Sequence, residues 1–133
     1  MDLYNRKIVA YTISDTQDNN LVLDTLNQLD LESGAILYSD QGSIYTSYAY
    51  YLTYKEKGII RSMSRKGTPA DNACVEWFHS SLKTETFYFP KRRKYNKDSI
   101  TNIVKKYITF YNETRIQYHL KDQSPVQFRK LVS

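Results

Sequence analysis

A chain of 133 residues, a quarter of them charged and 41% apolar, is sized for one folded domain; it is neither a disordered tail nor two independent domains. No apolar run approaches the roughly 18 residues that cross a bilayer, Met1-Asp2-Leu3 does not open a signal peptide, and the single cysteine, Cys74, leaves no internal disulfide, so no membrane partner and a reducing, cytoplasmic location are expected. The net charge of +5 is unevenly spread: residues 1–82 hold seven Lys/Arg against ten Asp/Glu, and residues 83–133 hold twelve against four, giving −3 and +8.

KIVAYTI, residues 7–13, is rich in β-formers and predicts an opening strand. Residues 18–31 put Val22, Leu26 and Leu29 on one stripe of a helix, which Gly34 ends. AILYS, residues 35–39, predicts a short apolar strand of the buried parallel type, and IIRSM, residues 59–63, another. Between them Thr46 or Ser47 caps a helix that runs through Lys57 to a stop at Gly58, with Tyr48, Tyr51 and Leu52 facing inward. Strand, helix, strand, helix, strand predicts an α/β fold with parallel pairing.

SMSRKGTPADNACVEWFHSSLKTE, residues 62–85, opens with a basic loop, Arg65 to Ala70, and then a helix with Asp71 or Asn72 as its N-cap. Val75, Phe78 and Leu82 form the core stripe of that helix. Glu76, Ser80 and Lys83 share another face, with a carboxylate near the start and a cation two turns on.

Lys91 to Lys97 reads as a loop. Residues 98–112 repeat apolar side chains at Ile100, Ile103, Val104, Tyr107, Ile108 and Tyr111, an amphipathic helix for packing on the core or against another chain. QSPVQFRKL predicts a terminal helix: Ser124 caps, Pro125 sits at N1, and Gln127 at N3 completes a capping box. The basic tail suits an acidic partner, most often nucleic acid, because clustered Lys/Arg displace phosphate counterions. The same charges also read as a solvated surface, and composition leaves both open.

Three blocks in this order, YSDQGSIYTS, SMSRKGTPADNACVEWFHSSLKTE and YITFYNETRIQYHLKDQSPVQF, resemble the second half of the catalytic region of bacterial insertion-sequence transposases, whose core is similar to retroviral integrase. The resemblance extends to DLYNRKIVAYTIS at the start and covers nearly the whole chain. It implies a ribonuclease-H-like α/β fold and a triad of two aspartates and a glutamate (DDE) holding two Mg²⁺ or Mn²⁺ ions. It also implies cleavage of DNA followed by strand transfer, with insertion-sequence ends and target DNA as partners.

By this resemblance Asp40 matches the second acid and Glu76 the third, with the family's spacing of 35 residues between them. An acid at the carboxyl end of a parallel strand projects into the crevice where α/β sheets place ligands, and a helix glutamate can meet it there. Without the resemblance, Asp40 reads as a turn acid and Glu76 as a surface one. Lys83 matches a lysine seven residues after the glutamate and implies a phosphate contact; Arg65 and Lys66 are further candidates for the DNA backbone. Tyr111, Asn112 and Arg115 match the family's Tyr-Asn and following Arg, with a structural role of docking the tail. Gln117 stands where relatives often carry histidine, and neither His79 nor His119 is assigned any chemistry.

DLYNRKIVAYTIS matches the turn and third strand of the ribonuclease-H-like sheet, so the expectation is an incomplete fold lacking the first two strands, with the first catalytic aspartate upstream. Asp2 falls on the turn and Asp71 on a helix cap, so neither substitutes for it. The expected organisation is the carboxy-terminal part of a catalytic core, with residues 1–90 the core remainder carrying Asp40 and Glu76, and residues 91–133 a basic helical tail. Two classes stay open: an enzyme fragment inactive alone, or a non-catalytic DNA-binding or protein-interaction remnant. A divergent nuclease of the same fold is disfavoured by the tail. Strands without neighbours expose edges and apolar faces, so a homo-oligomer or swapped dimer is expected.

Overall fold

The computed structural model describes residues 1–39, 47–63, 73–87 and 95–133. They form two compact units, Ala10–Ala73 and Met1–Val9 with Cys74–Ser133. No described helix is long and apolar enough to cross a membrane.

In the first unit α1 (Asn19–Asn27) starts where the Asp18 carboxylate accepts from the Leu21 N–H, so one orphan helix donor is satisfied at once. β1 (Ile36–Ser39) pairs in parallel with β2 (Ile60–Met63), in the register Ile36 to Ile60 through Ser39 to Met63. The crossover between them is α2 (Tyr48–Glu56), capped by Ser47, with Thr46 outside the described residues. Gly58, at φ +66°, ends this helical segment; a Cβ there would meet the Ser33 hydroxyl at 2.7 Å. Its carbonyl accepts from the Gly34 N–H at 2.8 Å, which joins the entrances of the two strands. The core of the unit is Leu26, Tyr50, Tyr54 and Ile59, with Val22, Leu29, Leu37 and Tyr51 packed around it.

Two expectations are corrected here. Tyr48 and Leu52 do not face inward: they are 73% and 42% exposed, and Tyr50 and Tyr54 are buried instead. YAYYLTY carries large side chains around most of the helix, so it offers several apolar stripes, and the distant partners Leu26 and Ile59 select one. Residues 7–13 form no strand. Their backbone is held by side chains instead: Asn112 bonds Ile8 through both N–H and C=O, the Gln28 amide donates to the Tyr11 carbonyl, and Thr25 bonds the Thr12 hydroxyl. An extended segment finds here the polar partners that a neighbouring strand would otherwise give.

The second unit opens with a tight turn. The Asp2 N–H donates to the Lys7 carbonyl, the Arg6 N–H returns to the Asp2 carbonyl, and the Asp2 carboxylate accepts from the Tyr4 N–H. Asp2 is thus a turn residue, as its position in the family pattern implies. α3 (Ala73–Leu82) continues into a π-helical turn, Lys83–Phe87. The expected caps Asp71 and Asn72, and most of the loop 91–97, lie outside the described residues; Lys97 already belongs to α4 (Lys97–Glu113), capped by Asn96. α4 buries Tyr107, Ile108, Tyr111 and Asn112. A 3₁₀ turn, Tyr118–Leu120, leads to α5 (Pro125–Val132), whose Ser124–Gln127 capping box is present in full. Ser124, fully buried, also donates to the Glu113 carbonyl at 2.9 Å and ties the start of α5 to the end of α4.

Candidate functional site

Phe78 orients α3. It is buried, with its ring edge-on to Tyr111 at 4.9 Å. Two residues earlier, about 200° around a helix of 3.6 residues per turn, Glu76 faces outward and is exposed. Ser80 and Lys83 are exposed too, as an outward face of carboxylate, hydroxyl and cation requires, with Lys83 at the start of the π-helical turn. The core stripe is narrower than expected: Leu82 is half-buried and Val75 is 39% exposed. Asp40 follows β1 directly in sequence, but Asp40, Arg65 and Lys66 all lie outside the described residues.

The Glu76 carboxylate makes no hydrogen bond or ion pair to another described residue, which leaves its oxygens open to an outside partner. Hard carboxylate oxygens are the donors Mg²⁺ and Mn²⁺ prefer, so Glu76 fits such an ion. Among the described residues no group of three His, Cys, Asp or Glu is placed to hold a metal, so Glu76 needs acids from elsewhere. Partial burial, then the nearby positive charge of Lys83, holds the His79 imidazole below its ordinary value. His79 is therefore biased toward its neutral form, leaving Lys83 as the cation of this face.

Below this face lies a network of which sequence reasoning named Arg115 alone, as a residue that docks the tail. Arg115, just past α4, is fixed by its N–H on the Phe110 carbonyl. Its guanidinium grips Glu85 in the π-helical turn: Nε lies 2.9 and 3.0 Å from the two carboxylate oxygens, and Nη2 lies 2.5 Å from one of them. The Tyr107 hydroxyl donates to the same carboxylate at 2.6 Å. The other side of the network is Trp77, whose ring centre lies 5.0 Å from the Arg115 guanidinium carbon. These bonds, that from Arg115 foremost, hold the Glu85 carboxyl below its usual range, and burial followed by the Glu85 bond pushes the Tyr107 phenol up. The only sequence signal for Glu85 is an acid two residues after Lys83, and Tyr107 is disguised as one more member of the apolar stripe.

A model of the integrase core domain matches residues 1–69, and a second of the same description matches residues 76–132. The protein assigned as transposase InsK for insertion sequence element IS150 of Escherichia coli (strain K12) is 38% identical over 97% of this chain and 46% of its own length. The transposase for insertion sequence element IS904 of Lactococcus lactis subsp. lactis is also 38% identical, over 98% of this chain and 53% of its own length. The chain therefore spans about half the length of these relatives. Among solved structures, the catalytic core domain of BIV integrase superposes with a TM-score of 0.66 at 17% identity, over 97% of this chain and 81% of that one. A chain of a simian T-cell lymphotropic virus intasome, in complex with the PP2A regulatory subunit B56 gamma, gives 0.73 at 18% identity, over 88% of this chain and 42% of that one. The fold is thus that of an integrase catalytic core, an incomplete ribonuclease-H-like α/β arrangement in which two parallel strands are described.

Proposed function

The chain belongs to the integrase core domain family, and from that premise we propose that it supplies the carboxy-terminal part of the catalytic core of a DNA transposase. The observation that carries this reading is an exposed Glu76 on α3 that engages no other described residue, with the Lys83 cation seven residues on, at the start of the π-helical turn. Asp40, directly after β1 in sequence, is the second carboxylate of the proposed site. The first aspartate of the family pattern is matched by neither Asp2 nor Asp71.

In this reading Glu76 and Asp40 hold Mg²⁺ or Mn²⁺. Held there, divalent ions would supply Lewis-acid polarisation of a phosphodiester. Lys83 neutralises a phosphate beside the carboxylates and fixes DNA without touching the metal. Arg65, Lys66 and the basic tail add backbone contacts that position but do not read sequence. The chain by itself neither cuts nor joins DNA, because two carboxylates do not hold two ions and the scissile phosphate in register. Association of copies is supported by the apolar pair Ile36 and Ile60, opposite one another on β1 and β2 and both well exposed.

The test is strand transfer with Mg²⁺ or Mn²⁺ by the 133-residue chain and by a longer protein carrying the upstream segment. Metal-dependent joining by the longer protein, abolished by Glu76→Gln and by Asp40→Asn, is the expected result. A longer protein that binds DNA but shows no Glu76-dependent chemistry would instead identify a non-catalytic DNA-binding remnant.

A further inference from the structure

Arg115 touches the α3 segment at two places, and they bracket the proposed functional face. Trp77, under the guanidinium, is the residue after Glu76; Glu85, in its fork, lies two residues beyond Lys83. A bidentate guanidinium–carboxylate pair fixes distance and angle together, which a lysine's point charge does not. The Tyr107 hydroxyl occupies the Glu85 oxygen further, and Phe110 anchors the Arg115 backbone. The π-helical turn matters here, because Glu85, which Arg115 grips, lies inside it. Arg115, just past α4, and Tyr107, on α4, both bond that carboxylate.

Resting on the transposase reading above, we infer that Arg115, with Glu85, Tyr107 and Trp77, is a positioning clamp that sets the rotation of α3 and so aims Glu76 and Lys83 at the metal and the scissile phosphate. None of the four touches substrate in this role. Arg115 and Glu85 act through Trp77 and the π-helical turn, as outer partners do when they orient a metal-binding side chain.

The experiment uses the longer protein, with Arg115→Lys, Glu85→Gln and the charge-swapped pair Arg115→Glu with Glu85→Arg. Ser124→Ala, which loosens α5 without touching the clamp, serves as a control for lost stability. Arg115→Lys should lower the strand-transfer rate about tenfold and raise the half-saturating Mn²⁺ concentration by a similar factor, with DNA affinity changed less than about twofold. The swapped pair should recover part of both losses. Hydrogen exchange across residues 73–87 of the 133-residue chain should accelerate in Arg115→Lys and not in Ser124→Ala. Unchanged Mn²⁺ dependence in Arg115→Lys, or a loss no larger than that of Ser124→Ala, overturns the clamp while Glu76-dependent activity keeps the transposase reading in place. Activity indifferent to Glu76→Gln removes the transposase reading and the clamp's role in it together.

Discussion

Asn112 on α4 holds Ile8, 104 residues away in sequence, as a neighbouring strand would: its Oδ1 accepts from the Ile8 N–H at 2.8 Å and its Nδ2 donates to the Ile8 carbonyl at 3.0 Å. All of these groups are buried, so neither backbone group has water to fall back on. Asn112→Ala should therefore cost about 2–3 kcal/mol, the penalty for orphaning a buried donor and a buried acceptor. Asn112→Asp should cost at least as much at neutral pH, because one carboxylate oxygen would face the Ile8 carbonyl. Urea unfolding midpoints check both; equal stability of all three proteins would contradict the assignment.

In the other unit, burial rather than residue type decides which tyrosines matter. Tyr50 and Tyr54 are buried with ring centroids 5.8 Å apart, whereas Tyr48 on the same helix is mostly exposed. Tyr50→Ala should cost about 3–5 kcal/mol, as other large aromatic truncations in cores do. Tyr48→Gln and Leu52→Gln should stay within about 0.5 kcal/mol of the parent chain. Thermal unfolding of the three variants distinguishes this face from the one periodicity suggested.

The contrast shows what kind of information sequence carries. Ser124 with Gln127, and the long stripe of α4, were legible because a cap and a helical repeat are local: every residue needed lies within a few positions. The two short strands were legible for the same reason. The inward face of α2 was not, since YAYYLTY satisfies several stripes and the choice depends on Leu26 and Ile59, far away in sequence. KIVAYTI has the composition of a strand, but a strand also needs a partner, and Asn112, Gln28 and Thr25 hold that segment instead. Of the candidate site, Glu76 and Lys83 were singled out through a resemblance and a helical spacing. The Arg115–Glu85 grip joins two segments 30 positions apart and has no periodic signature.

The proposed function predicts DNA binding of a particular kind by the basic tail. Contacts made by Lys/Arg to phosphate release counterions, so affinity should fall linearly on logarithmic axes as salt rises, and two duplexes of unrelated sequence should bind alike. Lys83→Gln should weaken binding to both duplexes equally and make the salt slope shallower by about one. Fluorescence anisotropy at several NaCl concentrations measures all three quantities. Strong preference for one duplex that persists at high salt would mean that base edges are being read.

The network under α3 should give the stability of its unit a limb at each end of the pH scale. Glu85 has an ordinary value of 4.5 and is held below it by Arg115 first and Tyr107 as well, so the folded state favours its charged form. That contribution is fully present above about pH 4.5 and is lost as pH falls from there through the depressed folded value. Tyr107 is shifted the other way. Burial first, then its bond to Glu85, lifts the phenol above its ordinary 10.0, so its contribution is whole below pH 10 and is lost as pH rises toward the raised folded value. Unfolding free energies of the parent, Glu85→Gln and Tyr107→Phe, measured from pH 3 to pH 11, separate the two limbs. The gap between parent and Glu85→Gln should be widest at neutral pH and close in acid, whereas the gap between parent and Tyr107→Phe should close in base. A Glu85→Gln gap that stays constant down to pH 3 would mean that the carboxylate charge contributes nothing, and that the fork on Arg115 holds by shape alone.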